Sequence, residues 1–202
     1  MQYFHTMKFV SIAIATLFSL SLQAQYEDLQ QRIKSFQDEM ADQYKVVTVN
    51  VGGQDLGAIE DAGADFHVEF KFKGIEKQED NIDRMVRYQA FVNVYHFDDE
   101  DDFNWAVKDW LKDFMNGQTI RPGRDARFLD RADPAIIVFD GTTISVITFP
   151  CLQFETYAFR EWRKRMLTYF GSDQAIILEI AGCEGPAMWT KNRPDPKDRT
   201  WR

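Results

Sequence analysis

The sequence predicts a single α+β domain in which one antiparallel or mixed sheet carries helices packed on one face. Three observations lead to this prediction. Segments with the apolar spacing of helices and segments with strand-like patterns follow one another in the order α-β-β-β-α-β-β-α-β. Most neighbouring strands in that order are joined by short polar turns, which favours antiparallel pairing within one sheet. Aromatic residues make up 14% of the chain and can fill the core of such a domain.

The first half of the chain contains one helix and three strands. A helix is predicted over residues 26–42, because apolar residues recur there at spacings of three and four: Tyr26, Leu29, Ile33, Phe36 and Met40. A β-branched strand follows over residues 44–51. Residues 64–73 alternate between apolar and polar side chains, which predicts a half-buried strand with a core face of Phe66, Val68, Phe70 and Phe72. A long strand is predicted over residues 85–97.

The second half opens with a helix that follows the acidic run Asp98–Asp102. The apolar stripe of this helix is Phe103, Val107, Trp110, Leu111 and Phe114. Asp140-Gly141 lies between two apolar runs and predicts a hairpin with a type I′ turn. A helix is predicted over residues 152–170, where Gly171 ends it, and a last buried strand over residues 175–180.

The N-terminal segment has the features of a cleavable secretory signal. Lys8 precedes an apolar run of 14 residues from Phe9 to Leu22, and Ala24 lies at a suitable cleavage position. That run is shorter than the ~20 residues that a membrane-spanning helix needs. We therefore predict a signal over residues 1–24, one α+β domain over residues 25–190 and a flexible C-terminal tail over residues 191–202. The protein would be exported, either periplasmic or secreted, and no transmembrane segment is expected.

The charge of the chain narrows the classes of partner. The formal net charge is −8 at pH 7. An acidic surface repels the phosphate backbones of nucleic acids, so no nucleic acid is expected as a partner. We therefore expect the partner to be a protein or a small anionic ligand.

Cys151 and Cys183 are the two cysteines of the chain. Two thiols in an exported protein predict a disulfide, which here would close a loop of about 32 residues. Cys151 precedes the predicted helix and Cys183 follows the returning strand, and an antiparallel return brings those two ends together. Two alternatives remain open at this point. The thiols could stay unpaired and buried, or Cys151 could be a nucleophile at a helix N-terminus.

The acidic run Asp98–Asp102 has two interpretations. Several carboxylates could bind Ca²⁺, but the alternate spacing and central glycine of a calcium loop are missing. Acidic residues at a helix start also accept hydrogen bonds from free N–H groups and interact favourably with the helix dipole. We expect this capping role.

A zinc site is a second metal hypothesis. His67 and Glu69 share a strand face, and His96 or Asp98 could complete a ligand set. Two lysines continue the face of His67, and strand alternation turns His96 towards the core face. We therefore expect a solvated strand face and no metal.

Four arginines lie between residues 121 and 131, within the connection after the second helix. Arg121, Arg124 and Arg127 are the predicted ligand-binding residues, because guanidinium groups on a loop can hold a carboxylate, sulfate or phosphate. The alternative is that Arg131 and these arginines pair with nearby aspartates and serve only as scaffold.

No stretch of the chain matches a catalytic or cofactor motif, so no cofactor is expected and the catalytic residues stay unknown. The sequence favours an exported non-enzymatic binding domain. One alternative is an envelope-associated structural component. Another is a hydrolase that uses an acid pair, because such a pair has no fixed spacing in sequence.

Overall fold

A computed structural model describes residues 26–48, 63–80, 82–114, 133–153, 156–183 and 185–195 of the chain. Three α-helices lie in these ranges: α1 over residues 26–39, α2 over Glu100–Phe114 and α3 over Thr156–Phe170. The strands there are β1 Tyr44–Thr48, β2 Phe66–Gly74, β3 Gln78–Glu79, β4 Met85–Val86, β5 Gln89–His96, β6 Ala135–Asp140, β7 Thr143–Thr148, β8 Ile176–Ile180 and β9 Ala187–Lys191. A 3₁₀ turn over Cys151–Gln153 precedes α3.

Seven strands form one sheet in the order β1-β2-β5-β7-β6-β8-β9, and every neighbouring pair is antiparallel. The two short strands β3 and β4 pair with each other in a separate ribbon between β2 and β5. The predicted class, an α+β domain built on one large antiparallel sheet, is confirmed.

Helices cover both faces of this sheet. Apolar residues of α1 and α3 pack on one face against residues such as Phe72, Val92 and Ile136. Apolar residues of α2 pack on the other face against residues such as Tyr95 and Ile137. The expectation of a shared face therefore holds for α1 and α3, whereas α2 lies opposite them. The reason is that β5 and β6 are buried on both faces, so the sheet needs apolar cover on each side.

The core under α1 is built from aromatic rings. The predicted stripe of α1 is buried at Leu29, Ile33, Phe36 and Met40. Phe36 is 0% exposed. Its ring lies within 5.2–6.5 Å, between centroids, of five others: Phe70, Phe72, Trp162, Tyr169 and Phe170. Edge-to-face contacts of this kind join α1, α3 and β2.

Three local features differ from the sequence prediction. The long strand expected over residues 85–97 is divided into β4 and β5. The hairpin loop between β6 and β7 is Gly141-Thr142, and in it Gly141 alone has a positive φ, of 56°, which is the pattern of a type II′ turn and not of a type I′ turn. The structure also adds β9, which pairs with β8 and includes Lys191, the residue at which the flexible tail was expected to begin.

No helix in the described ranges combines the length and the apolar composition that crossing a membrane requires.

Candidate functional site

Cys151 and Cys183 form a disulfide, with their Cα atoms 5.4 Å apart. This confirms the predicted pairing and excludes the alternatives of unpaired thiols and a nucleophilic Cys151. The bond ties the 3₁₀ turn before α3 to the connection between β8 and β9. The predicted ligand-binding residues Arg121, Arg124 and Arg127 lie outside the described residues.

The acidic run caps α2 as expected. The Asp99 carboxylate accepts hydrogen bonds from the backbone N–H groups of Asp101, at 2.8 Å, and Asp102, at 3.1 Å. Asp99 is thus the N-cap residue that satisfies two otherwise free donors of the first turn.

His67 and His96 lie on opposite faces of the sheet, because His67 pairs with Tyr95 whereas His96 pairs with Phe66. The exposed His67 ring stacks on Tyr95 at 4.2 Å between centroids, and its Nε2 atom lies 3.2 Å from the Asn93 side-chain oxygen. Within the described residues, no group of three or more His, Cys, Asp or Glu side chains has the geometry to hold a metal ion.

Titratable side chains converge where α1 meets the end of β5. Asp98 accepts a hydrogen bond from the Tyr26 hydroxyl at 2.9 Å, and its backbone N–H donates to Asp65 at 2.7 Å. His96 is 9% exposed. Its Nδ1 atom lies 3.0 Å from the Thr143 hydroxyl and its Nε2 atom 3.7 Å from the Asp98 carboxylate.

Burial controls the electrostatics of this cluster. It raises the pKa of Tyr26 to about 12, together with the hydrogen bond to Asp98 and the charges of Asp98 and Asp65. Burial also lowers the pKa of His96; the two aspartates oppose this shift, and the positive charge of Arg32 adds to it. The His96 imidazole and the Tyr26 phenol are therefore both neutral, and they pack where α1 begins. We interpret this cluster as a structural junction between α1 and the sheet.

A basic groove runs along the exposed face of α3 and continues to β9. Its lining includes four basic side chains, Arg160, Arg163, Lys164 and Lys191, and one acidic side chain, Asp173. Leu167, Thr168, Gly171 and Ser172 complete the lining of what we call the α3 groove. The groove is wide open to solvent, and the space along it is about 690 Å³.

The α3 groove forms because helical spacing aligns residues 160, 163, 164, 167, 168 and 171 on one side of α3. Lys191 joins them from β9, where its Nζ donates to the backbone carbonyl of Ser172 at 2.7 Å. The hydroxyl of Ser172 donates to Asp140 at 2.6 Å, and that of Thr168 donates to the Lys164 carbonyl at 2.9 Å. Both hydroxyl protons are thus engaged, and the cations are the donors left for a ligand.

The four cations of the α3 groove are not equivalent. Arg163 forms an ion pair with Glu179, a buried carboxylate on β8 that also accepts a hydrogen bond from Thr190 at 2.7 Å. Arg160 and Lys164 are exposed, and their side chains form no ion pair or hydrogen bond with the described part of the chain. These two side chains, with Lys191, carry positive charge that no carboxylate of the described residues neutralises through an ion pair.

A second, smaller pocket lies between the β3–β4 ribbon and the first turns of α3. Its volume is about 40 Å³. The lining consists of aromatic rings, amides and one alanine: Tyr44, Tyr88, Phe149, Phe159, Trp162, Gln78, Gln89, Gln153 and Ala158. No Asp, Glu, His, Lys or Arg is among the described residues that line it. We call this the aromatic pocket.

The sequence-based reasoning did not identify either site. Four basic residues between positions 160 and 165 were the available signal for the α3 groove, but the prediction of a helix over residues 152–170 did not use them. No family model, curated protein or solved structure matches this chain. The α3 groove and the aromatic pocket are therefore the two features of this chain that indicate a ligand.

Proposed function

We propose that this protein is an exported, non-enzymatic binding domain that holds an anionic group of its ligand in the α3 groove. One observation carries the proposal: Arg160, Lys164 and Lys191 lie in one groove and form no ion pair with a carboxylate of the described residues, in a protein whose formal net charge is −8.

The contrast between local and overall charge supports an anionic ligand. The acidic surface repels anions at long range, but charges separated by more than a Debye length, ~8 Å at physiological salt, are largely screened. An anion close to the groove therefore interacts mainly with the local cations. Guanidinium binds carboxylate, sulfate or phosphate through paired N–H donors, and ammonium acts as a mobile point charge beside it.

The spacing of the cations favours a ligand with more than one anionic group. Arg160 and Lys164 are one helical turn apart, with ~5–6 Å between their Cβ atoms. Lys191 approaches from a different element. Each exposed charge contributes little alone, so several contacts are needed for useful affinity.

Export follows from the predicted signal over residues 1–24, which lies outside the described residues. A disulfide between Cys151 and Cys183 is compatible with an oxidising compartment. Periplasmic and fully secreted forms would both meet this condition.

The test uses the purified chain without residues 1–24 and two soluble probes, polygalacturonate and dextran sulfate, in isothermal titration calorimetry at low salt. The site variant replaces Arg160, Lys164 and Lys191 with Gln. The matched control replaces three exposed lysines elsewhere, Lys34, Lys45 and Lys73, with Gln and changes the net charge equally. We expect the site variant to bind at least about tenfold more weakly and the control to bind like the wild type.

Two further variants sharpen this test. Glu179→Gln removes the charge that neutralises Arg163 without changing the shape of the α3 groove, so it should bind the probe more tightly.

Replacing Arg121, Arg124 and Arg127 with Gln examines the loop predicted from sequence. Equal losses in the groove variant and the lysine control would refute the α3 groove and indicate non-specific attraction. A loss confined to the loop variant would move the site to the loop.

A further inference from the structure

We infer that the aromatic pocket is a second binding site and that it takes a small neutral group with a carbonyl acceptor and a methyl, namely an acetamido group. The inference is independent of the α3 groove, because the two sites lie on different sides of α3 and are lined by different residues.

The size of the aromatic pocket limits what can enter it. Its volume is about 40 Å³, which exceeds the ~10–15 Å³ that a cavity needs to hold one water molecule. The pocket thus accommodates a small group of a few heavy atoms. An acetamido group has four, whereas a whole sugar ring or an aromatic ring would have to remain at the mouth.

The base of the aromatic pocket is apolar and rigid. Phe149, Phe159 and Trp162 are at most 7% exposed. Their rings contact one another, with the Phe149–Trp162 centroids 6.0 Å apart and the Phe149–Phe159 centroids 5.8 Å apart. Tyr44 closes one side, with its ring centroid 5.1 Å from that of Trp162. A methyl group would bury its surface against these rings.

Gln153 supplies directional donors, and its orientation is determined by one hydrogen bond. The backbone N–H of Gln89 donates to Gln153 Oε1 at 2.9 Å. Because an N–H group can only donate, the atom facing it must be the amide oxygen. The Nε2 group of Gln153 then has two N–H donors, and it makes no hydrogen bond with the described part of the chain. A ligand carbonyl would satisfy one of them.

The described part of the lining disfavours charged groups. No lysine, arginine, histidine or carboxylate is among the described residues that line the aromatic pocket. Transfer of an ion into such a site has no compensating charge and is strongly unfavourable. The half-buried amide and apolar walls therefore favour an acetamido group over an acetate ion or a free amine.

Two sources offer an acetamido group: an N-acetylated sugar and an acylated peptide. The test follows the backbone and side-chain amide resonances of the ¹⁵N-labelled protein during titration with N-acetylglucosamine and with N-acetylalanine methylamide. Glucose, glucosamine and acetate are the negative probes. We expect saturable shifts of the Gln153 side-chain amide, the Gln89 amide and the Trp162 indole, at millimolar probe.

Two variants remove the site by different means. Ala158→Leu fills the aromatic pocket with a residue that favours helix, and Gln153→Met removes the donors while keeping the side-chain length. Each should weaken probe binding about tenfold or more, and the melting temperature reports whether the variant is folded. Leu152→Ala is the matched control, because Leu152 is 50% exposed, adjoins Gln153 and does not line the pocket.

Binding of either acetamido probe supports the site, and the tighter one identifies the source. Equal shifts with glucose, or no shifts with either acetamido probe, would overturn the inference. So would unchanged probe binding in folded Ala158→Leu and Gln153→Met.

Discussion

The Tyr26 hydroxyl donates a hydrogen bond of 2.9 Å to the carboxylate of Asp98, 72 residues further along the chain. This contact joins the first turn of α1 to the segment between β5 and α2. It also places a phenol beside a negative charge, which makes the stability of the protein sensitive to alkaline pH.

Replacing Tyr26 with Phe should make the protein less sensitive to alkaline pH. The Tyr26 pKa is about 12 in the folded state, compared with ~10 in an unfolded chain. Between these values the unfolded state loses the proton first, so the free energy of unfolding falls as the pH rises. Urea unfolding from about pH 9 to pH 11 should show a smaller fall for Tyr26→Phe than for wild type. At neutral pH the variant should lose about 1 kcal/mol or less with the hydrogen bond.

Asp98→Asn is the control for this prediction. It keeps a hydrogen-bond acceptor near Tyr26 but removes the charge, so the absorbance change of phenolate formation should occur at lower pH than in wild type. Identical pH dependence of unfolding in wild type and Tyr26→Phe would contradict the assignment.

His96 should make the protein less stable in acid. Burial lowers the pKa of His96 in the folded state below the usual value, against the opposing charges of Asp98 and Asp65. As the pH falls below ~6.5, the unfolded chain binds the proton first, so stability falls until the folded imidazole is also protonated. His96→Gln has no such titration, and its free energy of unfolding should change less between pH 7 and pH 5.

Thr143→Val separates titration from packing. This variant loses the contact with Nδ1 but retains the imidazole, so it should be less stable by about 1 kcal/mol at both pH values. Its acid-dependent loss should remain. If His96→Gln and wild type lost equal stability between the two pH values, His96 would not be the responsible group.

Asp80 should be required for the β3–β4 ribbon. Its carboxylate accepts backbone hydrogen bonds from Ile82 at 3.0 Å and Arg84 at 2.9 Å, and it pairs with the Arg84 guanidinium through two further bonds. Burial alone would raise the pKa of Asp80, but these bonds lower it. Asp80→Ala should therefore speed amide exchange in Gln78, Glu79, Met85 and Val86 while the large sheet stays protected.

Asp83→Gly should have the opposite effect to Asp80→Ala and stabilise the turn that joins β3 to β4. Asp83 has a φ of 59°, in the left-handed region that glycine tolerates without cost. This variant should gain from a few tenths to about 1 kcal/mol of stability. For the preceding prediction, an unchanged rate of amide exchange in β3 and β4 of Asp80→Ala would show that other contacts hold the β3–β4 ribbon together.

The disulfide should contribute substantially to stability. It closes a loop with a sequence separation of 32 residues. The entropy that such a loop removes from the unfolded chain corresponds to about 3–4 kcal/mol of stabilisation. The double variant with Ser at Cys151 and Cys183 should lose about this amount in urea unfolding. Reduced wild type should behave like the double variant, and equal stability of oxidised and reduced protein would contradict the prediction.

Phe36→Ala should be among the most damaging single substitutions. The ring is 0% exposed and contacts five other aromatic rings, and Phe-to-Ala changes in such sites cost about 3–5 kcal/mol. Phe36→Leu preserves most of the apolar volume and should cost clearly less. A loss below ~1 kcal/mol in Phe36→Ala would mean that the core closes around the cavity.

The sequence by itself determined the features that depend on near neighbours. Spacings of three and four predicted the buried stripe of α1, and alternation predicted the core face of β2 at Phe70 and Phe72. The acidic residues before α2 predicted the capping role of Asp99. These rules succeed because helix and strand geometry repeats over a few residues. The disulfide was also predictable, because two cysteines leave one intramolecular pairing.

The tertiary structure alone decided the strand order, the side on which α2 packs and the two candidate sites. Lys191 reaches the cations of α3 only because β9 pairs with β8, and Gln153 meets Gln89 only because β5 and the turn before α3 are brought together. Periodicity shows which face of an element is apolar, but it does not show which other element covers that face. That choice depends on long-range pairing, whose loop-closure entropy is offset only when the whole sheet assembles.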